Sequence, residues 1–240
     1  MGLEQVDVAE QVGVAEQVDV AEQVDVAEQV DVAEDARRRR VVGATAVVGA
    51  GVLGASLSTR PGSPAFYALT GATALTWTTG GLAAGPLHRG RTLSRRRPIV
   101  GPVLTGVAAF GAFYAAALVA HRFPLLDRAI ASVFRYADKG SDGLVLATTL
   151  LNGAAEELFF RGAVYDAAGA RAVPVSTAAY VLATSATRNP ALVLASVVMG
   201  ALFAAQRRST GGIQAPLLTH LTWSVLMLRF LPPLFRRRLR

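Results

Sequence analysis

Residues 144–162 read LVLATTLLNGAAEELFFRG. Twelve residues without a charge lead directly into Glu156, Glu157 and, four positions on, Arg161. An ionisable side chain in the middle of a membrane span costs about 2.5–3.5 kcal/mol on insertion scales, so intramembrane charges are rare and mark function. Two adjacent acids need compensation. Helical spacing supplies it, because Glu157 and Arg161 stand one above the other at i, i+4. Glu156 lies about 100° around the helix and shares a face with Asn152, four residues earlier.

Working outward, the composition agrees with a membrane setting. The chain is 52% hydrophobic and only 17% charged, against roughly a quarter charged in a soluble domain. Of its 17 acidic residues, 11 precede Arg37, and Glu156 and Glu157 are the only glutamates beyond that point. There is no cysteine, which excludes disulfides and thiolate metal sites. Among the 24 basic residues only Lys139 is lysine. That bias, with abundant Ala, Gly and Val, points to a GC-rich, bacterial genome. The net charge of +7 does not indicate nucleic-acid binding. The arginines flank apolar runs instead of forming one stripe, which is the habit of membrane-loop anchors.

Residues 4–33 are five copies of EQVDVA with one Asp-to-Gly change, at Gly13. A period of six advances a helix by about 240° net, so the valines form no stripe. As a strand, one face is interrupted by glutamate in every repeat. The expectation is a low-complexity, disordered tail over 1–36, followed by a membrane domain over 37–240. No positively charged segment leads into a short apolar core at the N-terminus, so no signal peptide is read.

Within 37–240 the apolar stretches are Val41–Thr59, Pro64–Leu87, Pro98–Ala120, Leu144 to about Ala168, Val173–Thr187, Pro190–Ala205 and Ile213–Phe235. The fold class expected is all-α, a polytopic transmembrane bundle of about seven spans (six to eight). The fifth and sixth are short against the roughly 20 residues a span needs. Leu125–Tyr136 reads as an interfacial helix or connector. Basic residues at Arg37–Arg40 and five arginines in His88–Arg97 predict a cytoplasmic N-terminal tail in a bacterial plasma membrane. On that count Arg236–Arg240 falls outside, against the rule. Either one segment does not cross, or the last is split at Pro232–Pro233.

The run from Glu156 to Gly162 resembles the first motif, EExxxR, of the CPBP family of intramembrane proteases, which includes CAAX prenyl endopeptidases and bacteriocin-processing or immunity-related proteins. Downstream, Met199-Gly200-Ala201-Leu202-Phe203, Arg207–Gly212, Ala215-Pro216 and His220 resemble the family's closing region, so the likeness spans about 144–229. Two motifs depart from it. Where the family has an aromatic residue and, four on, histidine, this chain has Tyr180 and Thr184. Where it has histidine and, four on, asparagine or aspartate, this chain has His220 and Ser224, with Trp223 between.

The resemblance implies a glutamate-activated water attacking a peptide carbonyl, with histidines that polarise the water, bind metal or hold the oxyanion. Glu156 is the expected general base, Glu157 and His220 complete the catalytic set, and Arg161, Ser224, Asn152 and Thr184 support it. His220 and Ser224, one turn apart, would donate to a developing oxyanion. A divalent metal such as zinc on Glu156 and His220, or no cofactor, are both compatible, although catalytic zinc takes three protein ligands. His88 and His121 read as surface histidines. The partners expected are membrane lipids and a peptide or membrane-protein substrate. The other readings are a catalytically impaired relative serving as scaffold, immunity or regulatory protein, and a small transporter, which lacks the inverted repeat such proteins carry. CAAX processing itself is not implied, since a bacterium without prenylated CAAX proteins offers other substrates.

Overall fold

The computed structural model describes residues 32–90 and 98–239, with the side chains of 236–239 excepted. The chain divides into Met1–Arg40 and Val41–Arg240. In the first unit the described residues, 32–40, are helical; the repeat expected to be a disordered tail lies otherwise outside the described residues, as does most of the basic loop 88–97.

The second unit is built of helices. They are α1 (41–56), α2 (Pro64–Ala83), α3 (Val100–Ala120), α4 (Pro124–Lys139), α5 (Asp142–Glu156), a π-helical segment (Glu157–Val164), α6 (Tyr165–Ala167), a 3₁₀ turn (Gly169–Arg171), α7 (Ala172–Ser185), α8 (Pro190–Thr210), α9 (Gln214–Phe230) and α10 (Pro232–Leu239). Among the described residues no strand forms; an isolated bridge joins Arg89 to Gly212.

Boundaries follow local chemistry. Ser63 caps α2 by accepting from Phe66 N–H, and Pro64 opens it, where the missing N–H costs nothing. Asn189 caps α8 by accepting from Ala191 and Leu192 N–H. Gly211 closes α8 in the left-handed conformation, φ 69°, where a side chain would be strained. The sixth apolar segment is therefore not short: it runs 21 residues, through Arg207 and Arg208 to Thr210. The last segment is split, α9 ending at Phe230 and α10 starting at Pro232, because proline cannot continue the hydrogen-bond ladder. The expected interfacial helix is α4, which buries Ala131 and Phe134 against Leu231 and Phe235.

Val100–Ala120 and Pro190–Thr210 are long and apolar enough to cross a membrane. Only 17% of the apolar window of α3 is buried inside the protein, unlike the core helix of a soluble domain. Val100, Leu104, Val107, Leu118 and Val119 face outward along it. The count of about seven spans is not matched by length and composition alone.

The site rests on the packing of α5 and the π-helical segment against α2, α7, α8 and α9. Trp77 on α2 stacks on Phe159 at 4.8 Å and lies 5.0 Å from Phe160, in a core that also holds Ala155, Ala163, Val164 and Ala183.

Candidate functional site

The glutamates sit where the backbone changes winding. Glu156 ends α5 and Glu157 begins the π-helical segment. π-Helices are rare because their i→i+5 bonds are poorer, and they concentrate at functional sites. Here tertiary donors explain the change. Ser176 Oγ donates to Phe160 O at 2.7 Å, and Arg207 Nε donates to Arg161 O at 2.8 Å. Both carbonyls thus gain partners from outside the segment, which offsets the weaker winding. Removing the first donor with Ser176→Val leaves a buried carbonyl a partner short, at an expected cost of about 1–3 kcal/mol. A thermal melt in detergent reads this directly, and an unchanged midpoint would refute the explanation.

Glu157 and Arg161 are both fully buried. Arg161 Nη1 donates to Glu157 Oε1 at 3.3 Å and Nη2 to Gly200 O at 3.4 Å. The guanidinium lies between two rings, 4.5 Å from the Tyr180 centroid and 5.0 Å from that of Phe203, where cation–π attraction helps replace lost hydration. His220 Nδ1 lies 2.9 Å from the same Glu157 Oε1. A carboxylate accepts, so Nδ1 carries the proton and Nε2 is the nitrogen left to act. The imidazole is stacked on Phe203 at 4.7 Å.

Glu156 stands apart from this pair. Its Oε2 accepts from Tyr180 Oη at 3.0 Å and lies 4.0 Å from His220 Nε2. That gap is too long for a hydrogen bond and leaves room for a water to touch both groups. His220 thus bonds directly to Glu157, and the hydrogen bond to Glu156 comes from Tyr180. Tyr180 carried no role in the sequence reading, although its place at the head of the second motif was the available signal.

Asn152, Glu156, Thr184, His220 and Ser224 all line one cavity of about 260 Å³. Thr184, where the family pattern has histidine, donates its hydroxyl to Tyr180 O at 2.8 Å. Asn152 donates to Thr70 O and Thr148 O. Glu157 and Arg161 stand behind the cavity wall. The other histidines lie elsewhere: His121 pairs with buried Asp127 at 2.7 Å, and exposed His88 meets Asp166 at 3.3 Å. Asp166 also receives Arg207 Nη2 at 2.7 Å. Arg207, two residues past the end of the sixth apolar stretch, is 5% exposed and ties α8 to the π-helical segment.

The donor set does not fit a catalytic zinc. Among the described residues no three His, Cys, Asp or Glu side chains converge. With Nδ1 engaged by Glu157 and Glu157 engaged by Arg161, the donors left are Glu156 and His220 Nε2, against the three protein ligands such sites use.

A helical chain with long apolar helices and a buried Glu–Arg–His cluster beside a second, cavity-facing glutamate defines a class: membrane proteins with an acidic site inside the bundle. The family model described as type II CAAX prenyl endopeptidase Rce1-like matches residues 142–226, which supports the CPBP/CAAX protease family for this segment. The match takes in α5, the π-helical segment, α7, α8 and most of α9, the elements that build the site. No curated protein and no solved structure matched the chain.

Proposed function

We propose that the protein is an intramembrane endopeptidase in which Glu156 activates the attacking water. The carrying observation is the arrangement of the two glutamates: Glu157 Oε1 is engaged by both Arg161 and His220, while Glu156 lines the cavity 4.0 Å from His220 Nε2. A water between them gives its proton to Glu156 as its oxygen adds to the peptide carbonyl carbon. His220 Nε2 accepts from the water's other O–H and orients it, and the Ser224 hydroxyl donates to the oxyanion. Glu156 then passes the proton to the departing amine nitrogen as the C–N bond breaks. The outward apolar residues of α3 and α8 support seating in a bilayer, with the tail on the cytoplasmic side by the basic-loop rule.

One observation favours the scaffold or regulatory reading. Thr184 is turned onto its own helix backbone and offers no second basic nitrogen. The deciding experiment is cleavage of a peptide library by protein reconstituted in vesicles, with new termini read by mass spectrometry. Cleavage by wild type and none by Glu156→Gln or His220→Ala supports the peptidase. No cleavage by inserted, folded wild type overturns it.

A further prediction arises at Gly153. A β-carbon there would sit 3.5 Å from His220 Cδ2 and Nε2, an ordinary contact. Gly153→Ala is expected to keep activity within about threefold. Gly153→Leu carries atoms past that contact into the imidazole and should lose about 10²-fold, as misplacement of about 1 Å does. Equal rates for the two variants would show that His220 is not held in place from α5.

A further inference from the structure

A polar pocket of about 390 Å³ lies between the α1–α2 loop, the second half of α4 and the turn from α7 into α8. Arg135, Lys139 and Arg188 line it, and no acidic residue among the described ones does. All three cations are exposed. The neutral polar groups of the pocket are spent on its walls. Tyr136 Oη lies 2.7 Å from Leu57 O and 2.8 Å from Thr59 O, and Asn189 Nδ2 donates to Ala129 O and Ser132 Oγ. The three cations, by contrast, make no ion pair and no side-chain hydrogen bond among the described residues. Arg188 stands at φ 55°, the single non-glycine residue at positive φ among the described residues, a conformation that side chains adopt rarely.

The pocket surrounds the start of α8. From there the helix runs 21 residues to Thr210, about 30 Å, which is the thickness of a hydrocarbon core. Arg207 and Arg208 occupy its last turn, and Arg89 bridges to Gly212 just beyond it. That far end is the one the basic-loop rule assigns to the cytoplasm. The pocket is therefore at the opposite bilayer face, where the rule gives cations no reason to gather. Anionic headgroups give them one.

Beside the pocket is an apolar cavity of about 550 Å³ among α3, α4, α8 and α9. The two share Val133 and Leu192 as wall residues. Ala112, Ala116, Leu194 and Val198 line the apolar cavity and are exposed on the outside of the bundle, so it is open to surrounding lipid. A cationic mouth next to an apolar chamber complements one molecule with an anionic head and a hydrocarbon chain. A free phosphate leaves the chamber empty, and a lipid without net charge leaves the cations unmatched.

We propose that these two spaces seat one anionic phospholipid, its phosphate among Arg135, Lys139 and Arg188 and an acyl chain in the apolar cavity beside Trp223. This seat does not depend on the peptidase reading. Leu57, Val133, Tyr136, Thr187 and Leu192 also line the cavity of Glu156 and His220, so the seated lipid backs onto that site.

Native mass spectrometry of the full chain, released from micelles carrying equal amounts of phosphatidylglycerol and phosphatidylcholine, counts the bound lipid. Phosphatidylglycerol is expected to be retained about tenfold over phosphatidylcholine, on the scale that cations at a membrane surface supply. Replacing the three cations together, Arg135→Gln, Lys139→Gln and Arg188→Gln, should bring the two lipids level. Tryptophan fluorescence locates the chain. The protein has two tryptophans; Trp223 lines the apolar cavity, and Trp77 is fully buried in another core. Phosphatidylglycerol brominated along its acyl chain should quench wild-type emission at about a tenth of the mole fraction that brominated phosphatidylcholine needs, and Trp223→Phe should abolish that quenching. Equal retention of the two lipids, a preference that survives the triple substitution, or quenching unchanged in Trp223→Phe overturns the proposal. Release of phosphatidylglycerol by inorganic phosphate, but not by sodium chloride of equal ionic strength, also overturns it and assigns the mouth to a free anion. If the triple variant does not fold, Lys139→Gln alone, at the exposed end of α4, is expected to lower retention about threefold, and unchanged retention there counts against the seat.

Discussion

Arg161→Ala is expected to destabilise the protein by about 3–5 kcal/mol, the cost of leaving a buried charge without its partner. Glu157 is fully buried, its Oε1 shared between Arg161 and His220 and its Oε2 without a hydrogen-bond partner. Without the guanidinium the carboxylate keeps only the imidazole. The substitution also opens a hole between Tyr180 and Phe203, whose centroids lie 4.5 and 5.0 Å from the guanidinium carbon. Arg161→Lys should recover little, because an ammonium cannot lie flat between two rings while also reaching Glu157 and Gly200 O. The informative partner is Arg161→Met with Glu157→Gln. Replacing both charges removes the uncompensated ion and keeps the volume, so the double variant is expected to regain more than half of the loss. Unfolding in detergent with increasing denaturant measures the three variants against wild type. A loss below about 1 kcal/mol for Arg161→Ala would mean that Glu157 is compensated by something other than this pair.

The same cluster shows what the sequence could reveal. Spacing alone placed Glu157 over Arg161, because helix geometry makes i, i+4 neighbours whatever surrounds them. The π-winding that begins at Glu157 keeps these two groups within 3.3 Å of one another. The winding itself was not legible, since it depends on donors from Ser176 and Arg207, 16 and 46 residues away from the carbonyls they reach. The full length of α8 was hidden for a related reason. Hydropathy ends a span at the first charges, whereas α8 continues through them because Arg207 finds Asp166 and Arg161 O inside the fold. His220 was found through its family resemblance, but which of the two glutamates its ring bonds was not legible. Adjacent residues on a helix differ by about 100°, and only the position of α9 decides which of the two meets the ring.

Glu156→Gln is expected to lower the rate of peptide cleavage by at least about 10³-fold while insertion and melting temperature stay at wild-type values. The size follows from the proton inventory. A neutral amide cannot take the proton from the attacking water or return it to the leaving amine, and positioned acid–base groups contribute about 10²–10⁴ in rate. The unchanged stability follows from the surroundings. Unlike Glu157, Glu156 makes no close ion pair, its hydrogen bond comes from a neutral phenol, and its side chain keeps 14% of its exposure. Glutamine can still accept from Tyr180. Tyr180→Phe should be milder, about tenfold in rate, because it removes the hydrogen bond that orients the carboxylate and leaves the base itself. Glu156→Asp should fall between the two: the base is retained, but the shorter side chain withdraws it from both Tyr180 and the gap to His220. This ordering, Gln below Asp below Phe at position 180, is specific to a carboxylate that works by proton transfer. A scaffold would leave all three variants with the wild-type phenotype, and a merely structural carboxylate would show its losses in the melt before the rate.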